Sequence, residues 1–163
     1  MLTDYTTHED IRAVLGVEED EINNSTIELD VFITGLESDL HELNPTLDST
    51  FKVIKSKQPE DVTPLERRVV NLTKAFATYS VAKQLANALP MFAPRIISDG
   101  KSSLTRFSGE PFKEVIEGID SQYKLARSRL LAVLDELQSE SKIISTRSIL
   151  FVSSPSYDPV TGE

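Results

Sequence analysis

The chain has no cysteine and no tryptophan. That excludes disulfides, zinc–thiolate sites and thiol catalysis. Histidine is nearly absent too, with His8 and His41 the only two. Neither has a histidine or carboxylate four residues further on to make a helical ligand pair, and both read as surface residues. No Gly-x-Ser-x-Gly elbow, phosphate-binding loop or dinucleotide-binding glycine pattern occurs. Asp135 and Glu136 are adjacent on a helix and point apart, so they make no general acid–base pair. The sequence therefore offers no enzyme, no cofactor site and no metal site. No apolar run approaches the roughly 18 residues that span a membrane. The opening Met1-Leu2-Thr3-Asp4-Tyr5 lacks the basic and apolar regions of a signal peptide, so the expectation is a chain made and used in a cytoplasm, with no membrane partner.

What the 163 residues do carry is acid, unevenly placed. The formal charge is −9. Residues 1–60 hold 4 Lys+Arg against 14 Asp+Glu, whereas residues 61–163 hold 13 against 12. Such a chain repels phosphate backbones, which argues against sequence-specific nucleic-acid binding. The acidic half is either a surface for a basic partner or a solvated face.

Apolar periodicity points to a mainly α protein, a bundle of three to four helices. A short first helix opens at the capping box Thr6-Thr7-His8-Glu9 and ends at Gly16, followed by an acidic connector at 18–21. A second opens at Ser25-Thr26-Ile27-Glu28, with Leu29, Phe32, Leu36, Leu40 and Leu43 on one face and Asn44-Pro45 as its stop. Residues 46–62 read as mixed, with Phe51, Val53 and Ile54 in one helical turn or a short strand. The third helix has the clearest start: Thr63 caps, Pro64 takes the first position and Glu66 completes the box. Its core face runs through Leu65, Val69, Leu72, Phe76, Tyr79, Ala82, Leu85, Ala86 and Leu89 to Pro90. Asp99-Gly100, between Ile96-Ile97 and Leu104-Thr105, predicts a small hairpin in the 90–110 loop. A fourth helix, from about 108 to 138, carries Phe112, Ile116, Ile119, Tyr123, Ala126, Leu130, Val133 and Leu137 at spacings of 4 and 3, a seam as regular as a coiled coil. The basic groups Arg67, Arg68 and Lys74, and Lys124, Arg127 and Arg129, are either contacts for an acidic partner or the polar backs of these helices.

The expected organisation is a helical bundle domain over 1–140 and an extended C-terminal arm over 141–163. The arm holds Ile143, Ile144, Ile149, Leu150, Phe151, Val152 and Tyr157. Four consecutive apolar residues at 149–152 are an aggregation hazard unless covered. Either the arm folds back as a strand on its own domain, or a partner offers a sheet edge or groove. Few other strands are available to pair with it, which favours the partner.

The short first helix Tyr5-Thr6-Thr7-His8-Glu9-Asp10-Ile11-Arg12-Ala13-Val14-Leu15-Gly16-Val17, the acidic turn, the helix opening at Ser25-Thr26-Ile27, two long helices and a tail together resemble the head–tail connector (adaptor) proteins of tailed bacteriophages. The likeness is one of layout over most of residues 5–163. It implies a structural virion protein, assembled in the host cytoplasm. Identical subunits would form a ring below the portal protein, with the C-terminal arm on the portal and tail or neck proteins beneath. Genome DNA would pass through the centre, and an acidic channel wall would let it slide. Another virion completion or stabilising protein, or a non-viral helical adaptor, are the alternatives.

Overall fold

The computed structural model describes residues 2–92, 96–98, 103–105 and 111–149, and the side chains of 2–88 and 113–139. The chain is mainly helical. After a 3-10 turn at Leu2–Asp4 come α1 (His8–Leu15), α2 (Asn24–Ile27), α3 (Asp30–Leu43), α4 (Leu47–Ser56), α5 (Pro64–Phe92), the strands β1 (Ile96–Ser98) and β2 (Ser103–Thr105), and α6 (Pro111–Ile149).

Local chemistry explains most boundaries, sometimes one step from where the sequence suggested. Thr7, not Thr6, caps α1 by accepting from the Asp10 amide. Thr6 is instead buried, its hydroxyl 2.6 Å from that of Thr78 on α5. Gly16 ends α1 at φ 68°, a left-handed conformation that glycine adopts freely. The helix expected from Ser25 is two helices. Asn23 caps α2, accepting from the amide and hydroxyl of Thr26 and the hydroxyl of Ser25. The chain then leaves helical geometry at Leu29, and α3 starts without a side-chain cap. Leu36 and Leu40 are buried as expected, but Leu29 is 51% exposed.

The segment read as mixed holds a full helix, α4, whose Leu47, Phe51 and Ile54 are buried at spacings of 4 and 3. At α5 the capping box closes as expected: the Glu66 amide donates to the Thr63 hydroxyl at 3.2 Å, and the Thr63 amide to the Glu66 carboxylate at 3.0 Å. Pro90 does not stop α5; it sits in the last turn, where its missing N–H removes one ladder bond, and the helix reaches Phe92. The hairpin is present, with Ile96 opposite Thr105, Ile97 opposite Leu104 and Ser98 opposite Ser103.

The core lies around α5, against which α1, α3, α4 and α6 all pack. Val69, Phe76, Ala77, Val81, Ala82 and Ala86 are fully buried, covering more than one face, as a helix enclosed by neighbours requires. The outer helices contribute Ile11, Ile27, Leu36, Phe51, Ile119, Leu130 and Val133. Leu72, Ile116 and Tyr123, expected in the core, are half-buried at its margin.

α6 runs well past the end expected near 138. Ile143, Ile144 and Ile149, expected on an extended arm, stand on helical backbone. The physical reason is cooperative: once a long helix exists, each further residue adds a hydrogen bond for one residue fixed. β-branched residues oppose that by only a few tenths of a kcal/mol each, roughly. Leu150, Phe151, Val152 and Tyr157 lie outside the described residues.

Candidate functional site

Side-chain bridges fix the register of the bundle. On α5 and α6, Lys83 stands 2.6 Å from Asp120, Phe76 beside Tyr123 with ring centres 5.3 Å apart, and Arg68 3.4 Å from Glu136. The two helices are antiparallel, and Pro64 at the start of α5 lies level with about residue 140 of α6. Residues 141–149 therefore project past the end of α5, by roughly 14 Å at 1.5 Å per residue. α3 is likewise antiparallel to α5: Gly35 abuts Gln84 and the Ser80 hydroxyl donates to Asp39 at 2.6 Å.

Three places gather polar or exposed apolar groups. The first is the meeting of α3, α5 and α6. The Asp39 carboxylate accepts from Ser80, and the Tyr123 phenol donates to the same oxygen at 3.5 Å. Lys83 lies 4.4 Å above the Tyr123 ring and also reaches Asp120. Burial, then the charge of Asp39, pushes the Tyr123 phenol up from its ordinary value. The Ser80 proton is committed to Asp39, and a phenol raised in pKa is a poor base at neutral pH. The cluster ties three helices together, in the manner of a satisfied buried network.

The second place surrounds α1. Arg12 is only 7% exposed. Its guanidinium donates to the Ile22 carbonyl at 3.3 Å and the Asn24 side chain at 2.7 Å, anchoring the acidic turn to the bundle. His8 Nε2 lies 3.1 Å from Glu28, with the ring largely covered at 14% exposure, rather than on the open surface; His41 is exposed. Along the 18–31 segment that these contacts hold, Glu18, Glu19, Asp20, Glu28 and Asp30 face solvent, as do Leu29 and Val31, which are 51% and 65% exposed.

The third place is a groove of about 520 Å³ between α4, the start of α5 and α6, lined by Val53, Ile54, Glu66 and Leu137 among others. Val53 is 59% exposed. Lys52 and Lys55 flank it in sequence, and Lys57 closes the end of α4 on Glu66 at 2.5 Å.

Sequence reasoning singled out the two basic clusters, and the structure pairs three of their six residues with carboxylates. Arg68 pairs with Glu136, Arg127 with Glu42 at 3.1 Å and Lys124 with Asp120 at 2.6 Å, while Arg67, Lys74 and Arg129 face outward. Reasoning from sequence missed Arg12, because a buried arginine carries no periodic signature. It also missed exposed Leu29 and Val31, whose spacing imitates a core face. Among the described residues, no helix is long and apolar enough to cross a membrane, and no group of three or more His, Asp or Glu could hold a metal ion. No protein-family model, no curated protein and no solved structure matches this chain.

Proposed function

We propose that this protein is a structural connector (adaptor) of a tailed-phage virion. It forms a ring of identical subunits between portal and tail or neck, and its C-terminal segment docks on the portal. One observation carries the reading. α6 runs about nine residues past the level of Pro64, the first residue of α5, and leads directly into Leu150-Phe151-Val152. A helical stem whose backbone carries residues 143–149 past the start of α5 suits insertion into a partner. Ordering free chain costs roughly 1–2 kcal/mol per residue, and a segment that is already helical has lost that freedom before it binds.

The acidic first 60 residues fit the same role. A wall of one negative sign lets DNA pass without adhering, over a range of about 8 Å at physiological salt. The protein itself does no chemistry in this reading and takes no cofactor.

The test is deletion of residues 141–163, followed by co-sedimentation with the portal protein encoded by the same genome. The truncated chain should keep its helical circular dichroism and lose portal binding. Retained portal binding would place the docking surface on the bundle, and a truncated chain that unfolds would make the segment part of the core; either sinks the proposal.

A further inference from the structure

Val53 is the one large apolar side chain of α4 that stands exposed, and it lines the groove between α4, the start of α5 and α6. Ile54 and Leu137 share that apolar lining, while Ser49, Glu66 and Gln138 bring polar groups to it. Any apolar side chain that reaches the groove gains by displacing water from this surface. Position decides which segment of the chain can do so. The groove lies level with Glu66, where α5 begins. Residues 93–110 join the far end of α5 to α6. That end, Phe92, is 26 residues of helix from Glu66, roughly 39 Å. A loop out to the groove and back needs about 78 Å, and 18 residues extend to only about 60 Å.

The segment that follows α6 starts from the groove's own wall. Leu137 and Gln138 line the groove, and the same helix runs on to Ile149, 12 residues or roughly 18 Å past Leu137. The sequence then continues for 14 residues, to Glu163. An extended chain covers at most about 3.3 Å per residue. Leu150, Phe151 and Val152 therefore reach no more than about 10 Å from Ile149, too short for the return. Tyr157 and Val160 stand eight and eleven residues past Ile149 and reach about 26 and 36 Å, which covers the return with a lateral step to spare. Ser153-Ser154-Pro155 supplies turn chemistry between the two groups. Pro155 and Pro159 bias the residues before them toward extended backbone.

We infer that residues 155–160 fold back along the end of α6 and seat Tyr157 and Val160 in the Val53–Ile54–Leu137 groove of their own chain. The tyrosine suits the site because its ring covers the apolar lining while its hydroxyl meets the polar groups of Ser49, Glu66 and Gln138. The tether selects the occupant. A segment on a short linker acts at an effective concentration on the order of millimolar, which a second copy or a separate partner matches only at that bulk concentration. The contact belongs to the free chain and leaves 141–152 for whatever the stem meets, so it does not rest on the portal reading.

Because the chain has no cysteine, an introduced pair reports the contact directly. The full-length variant Ser49→Cys/Asp158→Cys is oxidised in dilute solution, the products are separated by mass, and circular dichroism checks folding. It should close a disulfide within one chain, which requires Cα atoms within about 7 Å. The pair Ser49→Cys/Phe151→Cys, whose tether is too short, should not close. Adding Val53→Asp or Tyr157→Ser to the first pair should slow closure about tenfold or more, one step of about 1.4 kcal/mol, because docking and not random collision sets the rate. Val53 is 59% exposed, so the aspartate should leave the fold intact. Four results would overturn the inference: no disulfide, a disulfide only between two chains, closure at an unchanged rate with Val53→Asp or Tyr157→Ser, or closure as fast from position 151 as from 158. All are read on the free chain, so this contact and portal co-sedimentation can fail separately.

Discussion

α5 and α6 run antiparallel for most of the bundle, yet they meet their surroundings differently. α5 is enclosed by α1, α3, α4 and α6, and its buried positions from Val69 to Ala86 hold only apolar or small residues. Where a polar side chain does enter, it is short and mostly paired, as Thr78 is with Thr6 and Ser80 with Asp39. α6 buries one seam through Ile119, Ala126, Leu130 and Val133 and leaves Val115 and Leu125 exposed. Its last turns pass the end of α5 altogether. An enclosed helix commits its buried positions on several faces to the fold, whereas a helix that covers from one side leaves a face open.

That contrast sets the size of mutational effects. Phe76→Ala, at the centre of α5 with no exposure, should lose about 3–5 kcal/mol in urea unfolding. Leu130→Ala, on the buried seam of α6, should lose about 2–5 kcal/mol. Leu125→Ala, on the open side of the same helix, should stay within about 0.5 kcal/mol. If Leu125 cost as much as Leu130 in a monomeric sample, α6 would not be one-sided and the comparison would collapse.

A finer break uses the two threonines of α5. Thr78→Val removes the partner of the buried Thr6 hydroxyl and should destabilise by about 1–3 kcal/mol. Thr73 is also fully buried, but its hydroxyl has no partner among the described groups. Thr73→Val therefore removes a desolvated group without orphaning another, and should be neutral or stabilising. Equal losses at both positions would mean that shape, not hydrogen bonding, decides what α5 tolerates.

The long helices were the most legible parts of the chain, for reasons particular residues show. The Thr63–Glu66 capping box and the 4–3 seam of α6 are short-range patterns whose structural consequence is local, so they read true. The end of α6 did not, because β-branched residues at 143–149 suggested extended chain while helix propagation carried the backbone on to Ile149. α4 was obscured because Leu47 was left outside the Phe51–Ile54 pattern it completes. Leu29 was misplaced because the chain leaves helical geometry there, between α2 and α3, and periodicity does not report such a break. Of the proposed partner-binding residues, the stem at Ile143, Ile144 and Ile149 is placed by its backbone alone. The groove beside Val53 and the exposure of Leu29 and Val31 were not readable at all, since exposure depends on which neighbours a residue meets.

The smallest expected effect sits on the outer edge of the α5–α6 contact. Asp120 accepts from Lys124 on its own helix and from Lys83 on α5, both at 2.6 Å. The Lys124 hydrogen bond, followed by that of Lys83, holds its carboxyl at about 2, against an ordinary value of 3.8. A depressed carboxyl stabilises the folded state above its unfolded value and loses that contribution as pH falls through the folded one. The window is therefore between about pH 4 and pH 2. Asp48 and Glu66 are also held below the usual carboxylate range, Asp48 chiefly by the Tyr5 phenol and Glu66 chiefly by Lys57, so the native chain loses stability in acid through several groups at once. The informative quantity is the difference between the native chain and Asp120→Asn. In urea midpoints taken from pH 5 to pH 2, the variant should start slightly below the native protein and converge with it toward pH 2. Because Lys124 is largely exposed and salt screens such pairs, the gap at pH 5 should be small and should shrink further in high salt. Parallel profiles across the window would mean that Asp120 titrates alike in both states, and that the long helices are held by their apolar seam without help from this bridge.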